Sequence, residues 1–265
     1  MIIIGEKLNS SIPSVREAMA SWNEAKLIEL AQAQAKAGAA FLDVNAGMFG
    51  EEEAEKLSQL VKLIAANTTL PLCIDSPGYE AMAQALKVYQ GPKPLINSTT
   101  LEAERFEKMS ALAKKYNAGI LALCMDDNGI PQTAEERIGL SRTLIEKLSG
   151  KGLALEDIYI DPMLSPLGVE EDAGLSSLEV IRTIRTEYPK VHITCGLSNI
   201  SYGLPARKYI NRAFLVAAII AGMDSAILNP LDKELMCLVL ATEALIGRDE
   251  YCENYIDLYR EGYFD

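Results

Sequence analysis

Three features of the chain together predict an α/β fold, a single (β/α)8 TIM barrel. Short, β-branched apolar runs alternate with helical segments eight times over. The connections between them are short, and alternation of this kind builds a parallel sheet. The length of 265 residues is that of one such barrel. No linker, low-complexity run or shift in composition interrupts it, so residues 1–265 read as one domain. An open doubly wound sheet is the alternative, and it ranks lower because no G-x-G-x-x-G follows the first strand.

The elements follow in order. Residues 1–4 form the first strand, closed by Gly5-Glu6-Lys7-Leu8-Asn9. A helix is predicted over 23–36, with Gly38 as its stop. The second strand spans 40–45, and a Glu-rich helix start at Glu51 leads to about Ala65. The third strand, 70–75, is followed by Ser76 as N-cap and Pro77 as first helical residue. The fourth spans 94–98, with Thr99 and Glu102 as a capping box for a helix to Tyr116. The fifth, 119–125, leads through a loop at 126–131 to a second capping box, Thr133 and Glu136, and a helix to Leu148. The sixth, 158–161, stops at Pro162; a loop over 165–174 precedes a helix capped by Ser176 and Glu179. The seventh is the stretch 191–201, β-branched and apolar at first and ending in Ser198 and Asn199, and its helix runs over about 211–221 to Gly222. The eighth is 225–229, and a helix over 232–245 and a short polar tail complete the chain.

Composition narrows the function. Hydrophobic residues make up 49% and charged residues 23%, as in an ordinary globular protein. The net charge of −12, without a basic block, argues against nucleic acid and anionic membrane as partners. The five cysteines have no C-x-x-C spacing and read as reduced thiols of a cytoplasmic protein. No signal peptide is visible, and the apolar stretch at 214–223 is too short to span a bilayer.

The strand tips carry the chemistry. They are Glu6 and Asn9, Asp43 and Asn45, Asp75, Asn97, Asp126 and Asp127, Asp161, Ser198 and Asn199, and Asn229. In a barrel all eight C-terminal strand ends meet at one mouth. Asp43 and Asn45 are two apart and so share a face of their strand. Any one of these residues could simply cap a turn. Packing alone, however, needs no polar group at nearly every tip. Phosphate fits poorly, since there is no Gly-rich cradle and no Lys or Arg at the seventh and eighth tips. The only histidine, His192, sits at the start of the seventh strand, which rules out a Ser-His-Asp triad and a Cys/His zinc site. A hard-cation site from Asp43, Asp75 and Asp161 stays open, and with it a metal-dependent lyase. A better fit is a flat heterocycle with several N–H donors, because a carboxylate accepts two bonds side by side from a 2-amino-pyrimidinone edge. That description matches a pterin.

The motifs carry a family likeness. Ile4-Gly5-Glu6-Lys7-Leu8-Asn9, Leu42-Asp43-Val44-Asn45, Cys73-Ile74-Asp75-Ser76, Ile96-Asn97-Ser98-Thr99, Tyr159-Ile160-Asp161-Pro162 and Gly196-Leu197-Ser198-Asn199 occur in order along the whole chain. Together with Arg207 and Asn211-Arg212-Ala213-Phe214, they resemble the pterin-binding methyltransferases. The nearest group is the methyltetrahydrofolate:corrinoid methyltransferases. The resemblance implies a homodimeric barrel that binds 5-methyltetrahydrofolate at its mouth. It passes the N5 methyl to the cobalt of a corrinoid (cobalamin) on a separate protein, and needs no metal of its own. It further implies that Asp75, Asn97 and Asp161 hold the pterin and that Arg207 assists. By the same resemblance Ser198 and Asn45 would support the site, and Asn199 would stabilise the protonated N5 as the catalytic group. The segment Tyr202-Gly203-Leu204-Pro205-Ala206 has no clear counterpart and is a candidate for choosing the corrinoid partner. A dihydropteroate synthase-like enzyme is the first rival. It needs cations for a pyrophosphate leaving group near strands seven and eight, and Asn229-Pro230-Leu231-Asp232 supplies none. A non-catalytic folate-binding protein is the second rival.

Overall fold

A computed structural model describes residues 1–264. In chain order the elements are β1 (Ile2–Asn9), α1 (Pro13–Ala20), α2 (Glu24–Lys36), β2 (Phe41–Asn45), α3 (Glu53–Asn67), β3 (Leu72–Asp75) and α4 (Tyr79–Val88). They continue with β4 (Leu95–Thr99), α5 (Ala103–Lys115), β5 (Gly119–Leu123), α6 (Ala134–Gly150), β6 (Ile158–Asp161) and α7 (Ala173–Glu187). The last are β7 (His192–Ile193), α8 (Arg207–Ala221), β8 (Ser225–Leu228), α9 (Lys233–Leu245) and α10 (Glu253–Arg260). The eight strands pair in parallel in the order β7-β6-β5-β4-β3-β2-β1-β8. The ring is completed where Gly196 bridges Ile227 and the Ile227 amide donates to the Cys195 carbonyl at 2.9 Å. This is the predicted (β/α)8 barrel.

The period of two along each strand separates two cores. Ile3, Leu42, Val44, Leu72, Ile74, Ile96, Ile158, Ile160, Ala226 and Leu228 face the helices and join one large apolar cluster with them. Ile4, Cys73, Leu95, Leu121 and Tyr159 face inward and plug the barrel, with Ile2, Phe41, Leu123 and Ile227 packed around them. On each strand the inward face therefore starts apolar, and its next pleat reaches the mouth.

The β7–β8 seam is the weakest part of the ring, because β7 contributes only two ladder residues. A side chain makes up the deficit. Asp224 accepts the Ile193 amide at 2.9 Å, lies 2.9 Å from His192 Nδ1 and 2.8 Å from the Arg185 guanidinium. His192 also stacks on Tyr159, with ring centroids 4.5 Å apart. It sits at the N-terminal end of the barrel, as its position in the sequence predicts.

Several local expectations change. β1 runs on through the Gly5–Asn9 segment as strand, with a bulge between Gly5 and Leu8. There the Gln34 side-chain carbonyl from α2 accepts the Lys7 amide at 2.9 Å in place of a ladder partner. A Cβ at Gly5 would lie 2.6 Å from the same oxygen, so a larger residue there would push the Gln34 side chain away from the Lys7 amide. Ser76 does not cap α4; its Oγ accepts the Gly78 amide in a turn and donates to Glu53 at 2.6 Å. Thr100, rather than Thr99, accepts the Glu102 amide ahead of α5. Ser176 lies inside α7, which starts three residues earlier at Ala173, and it faces the buried Arg137. The Thr133–Glu136 capping box and the Asn23 and Asp232 caps are present. The helices α1 and α10 fall in segments read as a connection and a tail. All five cysteines are free, with Cys73, Cys124 and Cys195 buried. Among the described residues no helix is long and apolar enough to cross a membrane.

The seam gives the first prediction. Asp224→Ala removes the carboxylate beside Arg185, which keeps the Gly222, Pro189 and Val191 carbonyls, and leaves the Ile193 amide without its acceptor, so it should cost about 2 kcal/mol of stability in chemical denaturation. Hydrogen exchange at the Ile193 amide should speed up in parallel. Stability within about 0.5 kcal/mol of the parent would mean that the backbone alone holds the ring closed.

Candidate active site

The mouth is built by register. Asn45, Asp75 and Asn97 stand directly opposite one another across β2, β3 and β4. Each follows an inward apolar residue of its strand by an even number of positions, and so points inward at the rim. The Asn45 amide donates to Asp75 at 2.9 Å, and the Asn97 amide donates to Asp43 at 3.3 Å. Asn45 is itself oriented by Ser10, whose hydroxyl donates to its Oδ1 at 3.0 Å, and by the Gly47 amide at 2.9 Å. Behind the β3 and β4 tips, the Arg105 guanidinium donates to the Pro77 carbonyl at 2.6 Å and the Ser98 carbonyl at 2.7 Å. These bonds tie the two tips together.

Burial sets the charge of this ring. Asp43 is fully buried one pleat below Asn45. Burial, and then the neighbouring Asp75, push its carboxyl well above the usual carboxylate range. Burial raises Asp75 to about 6, against the hydrogen bond from Asn45. Across the mouth, burial raises Asp161 to about 6, against hydrogen bonds from the Met163 and Gly196 amides. Cys73, touching Asp43 from below, is also pushed up by burial and by the two carboxylates. The carboxyls are thus held where a ligand's N–H donors can decide their ionisation.

Asp161 connects this ring to the β7 side. Gly196, whose amide it accepts, opens the 3₁₀ turn Leu197–Ser201 that carries Asn199. The Asn199 carboxamide is exposed at the mouth and lies close beside Gly196: a Cβ there would be 3.1 Å from its nitrogen. Arg207, the first residue of α8, donates to the Ser198 carbonyl at 2.5 Å and to the Ser201 hydroxyl at 3.0 Å. It therefore braces the turn on which Asn199 stands. Ser198 and Arg207 also line a 300 Å³ cavity between β1, β8 and α8, together with Glu6, Lys7 and Lys208.

That cavity corrects one expectation. Tips seven and eight themselves carry no cation, but the β1 bulge and the α8 start bring Lys7, Arg207 and Lys208 beside them. Sequence reasoning missed Lys7 and Lys208, as well as Ser10, because none of them ends a strand. Other tip residues serve mainly as turn caps. Asn9 accepts the Ser11 amide, Asp126 the Asn128 amide and Asn229 the Leu231 amide. Asp127 lines a separate 560 Å³ groove beside α5. Among the described residues no three His, Cys, Asp or Glu side chains converge in a metal-ligand arrangement.

Comparison with known proteins identifies the family. Residues 5–229 match the pterin binding enzyme family. The methylcorrinoid:tetrahydrofolate methyltransferase of Eubacterium limosum is 38% identical over 264 residues, covering 99% of this chain and 97% of that protein. The methionine synthase of Mycobacterium tuberculosis is 33% identical over 242 residues, 86% of this chain but only 20% of that longer protein. Among solved structures, a Yersinia pestis dihydropteroate synthase with a pterine-sulfa conjugate aligns with a TM-score of 0.68 at 17% identity, over 92% of this chain and 93% of that one. The Thermus thermophilus dihydropteroate synthase aligns with a TM-score of 0.66 at 21% identity, over 92% and 94%. At these identities the two synthases share the fold alone. By family match and by full-length identity, the chain belongs to the pterin binding enzymes.

Proposed function

We propose that this chain is a methyltransferase that moves a methyl group between N5 of tetrahydrofolate and the cobalt of a corrinoid held by a separate protein. One observation carries the reading. Interlocked carboxylates and carboxamides at the barrel mouth stand beside an uncommitted carboxamide, Asn199, as a planar heterocycle with a basic nitrogen requires. The name of the Eubacterium limosum relative, which matches over nearly its whole length, supports the same chemistry.

The residues divide the work. Asp75 and Asp161 accept N–H donors of the pterin edge, and Asn97 donates and accepts beside them. Asn45 holds Asp75 in place, and Ser198 and Arg207 fix the Asn199 turn. The amine at N5 leaves poorly until it is protonated or strongly hydrogen-bonded. Asn199 stabilises the charge that develops there without a prior charge of its own to oppose protonation. The corrinoid supplies the nucleophilic cobalt. This chain orients the folate and excludes competing attack.

The reading extends to the assembly. Residues 1–265 act as one barrel domain in a homodimer, which exposed apolar side chains such as Ile220, Leu245 and Ile256 favour. The free thiols favour a reducing, cytoplasmic setting. Tyr202, exposed at the mouth next to Arg207, makes 202–206 a contact for the corrinoid protein. Lys7, Arg207 and Lys208 do stand beside tips seven and eight, so the nearly full-length match to the Eubacterium limosum methyltransferase, rather than a lack of cations, is what favours methyl transfer over the dihydropteroate synthase reaction.

Three measurements test the reading. Asn199→Ala should lower single-turnover methyl transfer to a reduced corrinoid protein by about 10²–10³, with folate binding weaker but measurable. An unchanged rate removes Asn199 from the chemistry and leaves a folate-binding protein. Asp75→Asn or Asp161→Asn should each raise the folate Kd at least about tenfold in titration calorimetry; wild-type affinity takes that residue out of the site. The third test is pH. Both carboxyls titrate near 6 in the free protein and must be ionised to accept the pterin donors. Binding should therefore weaken below pH 6, by up to about tenfold per unit for each group, and level off above it. Folding has the opposite sign. Because these pKa values are raised in the folded chain, stability is greatest below about pH 4 for these groups and is lost as pH rises through 6. Affinity that grows on acidification would contradict the assignment.

A further inference from the structure

The 300 Å³ cavity beside the Asn199 turn shares Ser198 and Arg207, which brace that turn, with the site at the mouth, while its other lining residues are given no role there. Its walls are unusual for a protein of net charge −12. Lys7 and Lys208 face it, and neither ammonium has a carboxylate at ion-pair distance among the described residues; Lys208 rests over the Tyr209 ring. Arg207 spends its hydrogen bonds on the Ser198 carbonyl and the Ser201 hydroxyl, both neutral. Asp232 lies at the edge but is taken by Arg212 at 2.7 Å. Glu6 is the remaining acid; burial raises its pKa, against the opposing pull of the nearby Lys7 and Arg207 charges, and it makes no ion pair with either. Leu228 and Leu235 give the cavity an apolar floor.

The shape of a folate decides what reaches this cavity. N5 is bonded to C6, and C6 carries the tail: a flat p-aminobenzoyl ring followed by γ-linked glutamates with one free carboxylate each and one more at the end. With N5 at Asn199, the tail leaves the pterin at the same turn, and Ser198, next in the chain, already lines the cavity. An aromatic ring meets the leucine floor, and carboxylates meet Lys7 and Lys208. The β1 bulge has a role here. Gln34 holds the Lys7 amide, and the bulge aims that side chain at the mouth where a regular ladder would not.

Resting on the methyltransferase reading, we propose that this basic cavity seats the tail and selects folates that carry several glutamates over those that carry one. The contact is electrostatic and partly solvated, so it depends on salt.

The test titrates the full chain with 5-methyltetrahydrofolate as monoglutamate and as triglutamate, and with tail-less 6-methyltetrahydropterin. At low ionic strength the triglutamate should bind at least about fivefold more tightly than the monoglutamate. That ratio should shrink toward one at about 0.3 M salt and fall below about twofold in Lys7→Gln/Lys208→Gln. Lys208→Gln alone, altered at an exposed side chain, should give an intermediate ratio and serves if the double variant folds poorly. Equal binding of the two folates by the wild type, or a preference that survives both substitutions, overturns the proposal. Inorganic pyrophosphate is the second probe; if it binds the free protein more tightly than the triglutamate does, the cavity belongs to a phosphate anion and the proposal fails. Binding of the tail-less pterin without tail discrimination sinks only this inference. No binding of any reduced pterin sinks the functional reading as well.

Discussion

Strand register is the constraint on which the mouth depends. Asn45, Asp75 and Asn97 meet because β2, β3 and β4 are paired with these residues directly opposite each other. A slip of one residue in any of the three would turn its polar tip toward the helices and bring an aliphatic side chain to the rim. Register is in turn held by the two cores, since the same slip would bury Asp43 or Asp75 among leucines. The chemistry at the top and the apolar plug beneath it are therefore one structure. The residues that fill the barrel and those that face a ligand differ only by a pleat.

This arrangement carries an electrostatic cost in the free protein. Three carboxyls lie where burial disfavours their charge, and carboxamides at Asp43 and Asp75 and backbone amides at Asp161 only partly compensate. On the proposed reading, a heterocycle that brings N–H donors would offset that cost on arrival. The fold tolerates the strain because the acids are concentrated at one end, above a plug of Ile4, Leu95, Leu121 and Tyr159 that is free of charge.

Much of this was legible in the sequence. The alternation of β-branched runs and helical stretches named the barrel, and even spacing placed Asp43 and Asn45 on one face. What was not legible depended on a partner distant in sequence. Ser76 and Ser176 look like caps by their neighbours, but Glu53 and Arg137, from other helices, claim their hydroxyls. The shortness of β7 was hidden because Thr194 and Cys195 are as β-compatible as His192 and Ile193, while the chain has already begun to leave the ladder there. The basic cavity was hidden for a similar reason. Its lysines come from a bulge and from a helix start, and neither interrupts the hydrophobic pattern.

The contact between Gly5 and Gln34 binds two distant positions into one evolutionary unit. A methyl group at position 5 would collide with the carboxamide that supports the Lys7 amide. A change at position 5 is therefore felt first as a displaced Gln34 and a Lys7 amide without its acceptor. A smaller residue at 34 would make room for alanine at 5, but it would also leave the strand without the partner that bends it.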